Sequence, residues 1–156
     1  MPADSRPLTE GERALAASIF GDAIDYGSVR IRRRKWFPFQ PRRVVMAPCG
    51  HIHFHPASHL WSEDFAAEPL HRQGLFIHEM VHVWQAQKRG RFYLPLMRHP
   101  FCRYRYRLKP GRPFESYGLE QQAEIVRHVF LMRHEEGKRA EAQESLLPFR
   151  TRSGAA

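Results

Sequence analysis

The chain has 156 residues, 42% of them hydrophobic, and a formal net charge of +9. That length suits one domain with a modest core, and an arginine-rich surplus of charge suits recognition of phosphate or carboxylate groups. No apolar run approaches the roughly 20 residues a spanning helix needs, and residues Met1 to Arg13 lack the apolar stretch of a secretory signal, so cytoplasmic synthesis is expected.

Thr9-Glu10-Gly11-Glu12 has the form of a capping box, with Pro7 just upstream. It predicts a short helix through Arg13 to Phe20, with Leu15 and Ile19 facing inward and Gly21-Asp22 ending it. Val29 and Ile31 alternate with Arg30 and Arg32, a strand signal. Lys35-Trp36-Phe37-Pro38-Phe39-Gln40-Pro41 is too proline-rich for regular structure and reads as a loop pinned by its aromatics. Arg43 to Ala47 and His51 to His55 flank Pro48-Cys49-Gly50, which predicts a β-hairpin. On such a strand His51, His53 and His55 share one face. They could form a metal site; the plainer reading is a half-exposed strand. Cys49 and Cys102 are expected as free thiols, a disulfide being the alternative.

Pro69 can occupy the first turn of a helix, predicted from Leu70 to Lys88 and ended by Gly90. Inside it lies His78-Glu79-Met80-Val81-His82, an H-E-x-x-H motif. Residues four apart sit one turn above each other on a helix, so His78 and His82 can bind one metal ion from one side. Glu79 lies about 100° further round, within reach of a metal-bound water. Ile77, Met80, Val81 and Trp84 cluster roughly opposite the histidines and suit a core. Two imidazoles and a carboxylate that takes a proton from water are what a metallohydrolase requires.

Residues 91–113 are dense in Arg, Pro and aromatics, including Arg103-Tyr104-Arg105-Tyr106-Arg107, and are expected to supply cleft walls or a lid. A last strong helix is predicted from Ser116 to Arg133. Catalytic zinc takes three protein ligands and leaves one position for water. Glu120 and Glu124 share a face of this helix, with Leu119, Val126, Val129 and Phe130 broadly on the other side. Glu120 is the expected third ligand and Glu124 the neighbour that holds a ligand histidine by its second ring nitrogen. His128 and His99 are reserve ligands. An oxyanion or substrate contact is expected from Tyr117, His99 or a loop arginine. Residues 1–135 are expected to form a single domain, and 136–156 a charged, flexible tail.

H-E-x-x-H followed by Glu120-x-x-x-Glu124 resembles the gluzincin class of zinc peptidases, in which the first carboxylate binds zinc. Nearly the whole chain, from Arg6 to about Arg133, resembles the small Vgr-related proteins and the metallopeptidase-like domain of extracellular contractile injection systems. The segments that carry this likeness are Arg6 to Thr9, Phe20 to Tyr26, Trp36 to Arg42, Gly50 to His55, His78 to Gln85 and Tyr117 to Glu124. The resemblance implies an α+β, zincin-like domain, with two long helices carrying the site beside a small antiparallel sheet. It implies Zn²⁺ as cofactor, a protein or peptide substrate, and a place in bacterial secretion or injection machinery, hence export by a dedicated system.

Three functions follow. The favoured one is a zinc metallopeptidase with His78, His82 and Glu120 on the metal and Glu79 as the base. The second is a catalytically silent, metal-binding interaction module of a secretion assembly. The third is a protease acting near nucleic acid, resembling small basic zincins of the SprT type, because arginine and tyrosine alternate from Arg103 to Arg107.

Overall fold

The computed structural model describes residues 4–97, 103–135 and 141–149. Three short strands, β1 (Ser5–Pro7), β2 (Arg30–Arg32) and β3 (Ile52–His53), accompany five helices. These are α1 (Glu10–Phe20), α2 (Leu70–Arg89), α3 (Tyr93–Met97), α4 (Leu119–His134) and α5 (Glu141–Glu144). The class is α+β. No helix of the described residues is long and apolar enough to cross a membrane.

The capping box forms as expected: the Thr9 hydroxyl accepts from the Glu12 N–H at 3.0 Å, and a Glu12 carboxylate oxygen accepts from the Thr9 N–H at 2.9 Å. Glu12 does more than cap. Its fully buried carboxylate also takes both Arg6 amino groups at 2.8 and 2.9 Å and the Phe65 N–H at 2.9 Å. One carboxylate thus ties β1, α1 and the 3-10 turn at Phe65–Ala67 together. The Phe65 ring continues this junction into the core, stacked between Phe54 and Phe76 with centroids 5.6 Å apart on each side.

The sheet has the order β1-β2-β3, antiparallel between β1 and β2 and parallel between β2 and β3. It is therefore mixed, not antiparallel as expected, and β1 had no signal in the sequence. Val29 and Ile31 are buried, as their alternation predicts. The expected hairpin shrinks to one antiparallel bridge between Met46 and His53. Its ladder cannot extend in either direction. Pro48 has no N–H to offer. Val44 has spent its N–H on the Pro41 carbonyl and its own carbonyl on the Gln40 amide. The histidine row breaks up accordingly: His51 Nδ1 accepts from the Arg30 N–H, His53 faces the Arg34 carbonyl, and His55 Nδ1 accepts from the Ala57 N–H. Burial and the cations around it hold His53 down to about 4.

The 35–41 loop is held by Gln40 and not by its aromatics. Phe39 is 85% exposed, whereas buried Gln40 accepts the Trp36 N–H and donates to the carbonyls of Val44 and His53. Cys49 is a half-buried free thiol, and Cys102 lies outside the described residues.

The core sits where α2 crosses α4. Phe76 through Ala86 of α2 are all buried, as are Ala123, Ile125, Val126, Val129 and Phe130 of α4. Fully burying each large apolar side chain contributes roughly 1.5–3 kcal/mol. Gly74 permits the close approach, since a Cβ there would stand 3.1 Å from Leu131 Cδ2. Gly90, at φ +96°, ends α2 in a conformation that favours glycine. Helix α4 starts later than expected: Phe114–Ser116 form a 3-10 turn, and the Gln121 side chain reaches back to the Gly118 N–H at 2.9 Å. The packed body reaches past residue 135, because Phe149 meets the rings of Phe20, Trp84 and Phe114 at 4.8, 5.0 and 6.3 Å.

Glu12→Ala leaves Arg6 and two backbone N–H groups without their acceptor, and should lower stability by about 3–5 kcal/mol. Thr9→Ala removes only a cap and should cost about 1 kcal/mol. Thermal unfolding of the two variants checks the order; equal losses would contradict the assignment of Glu12 as the junction.

Candidate metal centre

The long helices face each other through polar groups at one end of their contact. His78 and His82, one turn apart on α2, direct their Nε2 atoms at the same atom of α4. Each lies 3.2 Å from Glu120 Oε2. The three donors lie within 4.8 Å of one another, and all three residues are buried.

Both imidazoles are held from behind. His78 Nδ1 is 2.9 Å from Glu124 Oε1, and His82 Nδ1 is 2.8 Å from Gln85 Oε1. A network sets the Gln85 amide: its Nε2 donates to the Leu119 carbonyl and to Gln122 Oε1, and Gln122 Nε2 donates to the Tyr117 carbonyl. Gln85 Oε1 can then only accept, so His82 carries its proton on Nδ1 and turns an Nε2 lone pair toward Glu120. Glu124 accepts from His78 Nδ1 in the same way. Neither Gln85 nor Gln122 was singled out from the sequence, although Gln85 follows His82 by three residues and so shares its face.

The chemistry of this donor set fits a tetrahedral divalent cation. Two imidazole nitrogens and a carboxylate oxygen, each backed by an acceptor, form a common catalytic zinc set. Tetrahedral bonds of about 2.0–2.1 Å separate donors by about 3.3 Å, close to the 3.2 Å between each Nε2 and Oε2. Two nitrogen lone pairs facing a carboxylate oxygen repel unless a cation lies between them. In the metal-free chain the proton is that cation. Burial alone would depress His78, but Glu120, Glu124 and Glu79 outweigh it and lift its pKa to about 9. Burial opposes ionisation of Glu124 as well, yet His78 and Arg127 bring it down to about 2.

Glu79 is buried next to His78, and both line a cavity of about 320 Å³ that Tyr104 flanks. The Tyr104 ring stacks on His78, centroids 6.2 Å apart and planes 18° apart. Tyr106 places its hydroxyl 2.6 Å from His128 Nδ1. Both tyrosines of the basic segment thus meet a histidine of the protein, while Tyr104 remains 48% exposed. His128 stands 3.4 Å from Glu124 and outside the donor triangle. Tyr117 lines a second cavity, of about 440 Å³, together with Glu120, and its hydroxyl accepts from the Lys109 N–H. His99 lies outside the described residues. Among the described residues no other cluster offers three such donors.

A long helix with H-E-x-x-H, crossed by a second that brings a glutamate to both histidines, defines an α+β domain with a candidate metal centre. No family model matches the chain. It is 45% identical over 140 residues to the type VI secretion system spike protein VgrG2b of Pseudomonas aeruginosa, an alignment covering 85% of this chain. The chain spans about one seventh of that protein's length, 14%. It also superposes on the solved effector domain of Pseudomonas aeruginosa VgrG2b with a TM-score of 0.75 and 41% identity, covering 90% of this chain and 80% of that one. The chain belongs to the family of the VgrG2b effector domain.

Two measurements test the centre. Glu124→Gln should weaken divalent-metal binding roughly 10–100-fold, read by competition with a chromophoric chelator. Binding should also tighten as pH rises toward about 9, because the metal displaces the His78 proton and that proton is held up to that pH. Affinity that is flat between pH 6.5 and 9 would contradict the assignment.

Proposed function

We propose that the chain is a zinc-dependent peptide hydrolase that serves as an effector module of a type VI secretion system. The observation that carries this reading is the convergence of His78 Nε2, His82 Nε2 and Glu120 Oε2 beside the Glu79 carboxylate. These three donors would hold Zn²⁺, which lowers the pKa of a bound water and polarises a carbonyl. Glu79 takes the water's proton and returns it to the leaving amine. Glu124 and Gln85 keep both imidazoles in the tautomer and orientation that present Nε2. The Tyr117 hydroxyl accepts from the Lys109 N–H and keeps its own proton to donate, which makes it the candidate partner for the developing oxyanion. The secretion role rests on family membership, with the effector domain of a spike protein as the relative.

Burial of all three donors favours a second reading, a metal site that only stiffens an interaction module. Glu79→Gln separates the two. The hydrolase reading expects stoichiometric zinc, an unchanged melting temperature, and a loss of peptide cleavage of at least about 10²-fold, measured on a degenerate peptide mixture by mass spectrometry. Cleavage that survives in Glu79→Gln, or none by the zinc-loaded wild type, would favour the structural module.

A further inference from the structure

The cavity on the Glu79 side has a graded lining. Its mouth is formed by exposed Arg43 and His71, its walls by Val45, Leu60 and Leu75, and its inner end by buried His78 and Glu79. At about 320 Å³ it is at the small end of ligand sites, with room for about one substrate residue, backbone included. Two arginines border it. Arg127 is committed, donating to both Glu124 oxygens at 2.8 and 3.2 Å. Arg43 has no ion pair or side-chain hydrogen bond among the described residues, yet it borders a cavity that ends at the candidate metal centre. An exposed, unpaired arginine on the border of an apolar-walled slot matches an aliphatic stem that ends in a carboxylate.

We propose that this cavity is the subsite for an acidic substrate residue, glutamate better than aspartate, and that Arg43 is the residue that reads it. The proposal rests on the hydrolase reading above and names its substrate class: peptides with a glutamate next to the bond cut. The apolar walls desolvate the stem, and the Arg43 guanidinium takes the carboxylate in a charge-assisted, bidentate pair. Glutamine offers one oxygen and no charge, and lysine is repelled. Aspartate is one methylene too short to reach the mouth while its backbone stays beside Glu79.

The test uses the full zinc-loaded chain and pools of decapeptides, degenerate except for Glu, Gln, Asp or Lys at one central position. Cleavage next to the fixed residue is read by mass spectrometry. Binding of the same pools, fluorescently labelled, to the Glu79→Gln variant is read by anisotropy. The wild type should cut the Glu pool about tenfold faster than the Gln pool and cut the Lys pool least. Arg43→Ala should bring Glu and Gln to within about twofold of each other. Arg43→Glu should invert the order in favour of Lys, a gain that a folding defect cannot produce. A Glu preference that survives in Arg43→Ala, or equal cutting of Glu and Gln by the wild type, overturns the subsite. If no pool is cut, the hydrolase reading fails, and the subsite is judged by anisotropy alone. There, a Glu-over-Gln preference that Arg43→Ala abolishes upholds it, and equal binding of the two pools overturns it.

Discussion

The packing of α2 against α4 is the contact on which the rest depends. Neither helix could keep its polar face buried alone. His78, His82 and Glu79 on one, and Glu120 and Gln122 on the other, are all buried, and removing such groups from water without partners would cost several kcal/mol each. Each face supplies the other's partners. Glu120 meets both histidines, Glu124 meets His78, and Gln85 meets Gln122 and the Leu119 carbonyl. Met80, Val81, Ala123 and Val126 are buried along the same two helices, and the low dielectric of such an interior makes each polar interaction stronger than it would be at a surface. Gly74 sets how closely the helices meet.

The same packing concentrates charge. Three carboxylates, Glu79, Glu120 and Glu124, lie around two imidazoles. Without a metal the balance is struck by a proton on His78 and by Arg127 against Glu124. A site that binds a proton this firmly through acceptors on both ring nitrogens is also one in which a dication meets two lone pairs and a carboxylate, already oriented. That preorganisation needs the outer partners as much as the donors. Gln85 and Gln122 are uncharged and easily overlooked, but they decide which nitrogen of His82 faces the centre.

Around this centre the chain is basic, and the cations differ in their employment. Arg6 and Arg127 are spent on Glu12 and Glu124. Arg43 and the arginines of the 103–107 segment are not paired among the described residues. Tyr104 and Tyr106 between them face His78 and His128.

The sequence by itself determined the elements with local causes. The Thr9–Glu12 capping box, the inward faces of Val29 and Ile31, the span of α2 and its stop at Gly90 follow from propensity and periodicity, which act over a few residues. The i, i+4 spacing likewise put His78 with His82, and Glu120 with Glu124, on common faces. Tertiary structure alone decided what depends on pairing across the chain. The hairpin expected about Cys49 failed because the neighbouring Gln40 and Pro41 used up Val44 and because β3 pairs with β2, some twenty residues away in the chain. The histidine row that shared a face on paper dissolved into separate backbone contacts, His51 and His53 with the distant Arg30 and Arg34 and His55 with its neighbour Ala57. Period and propensity contain no information on which helix faces which. That Glu120, and not His128, stands between His78 and His82 is a consequence of where two apolar backs meet, over a separation of some forty residues.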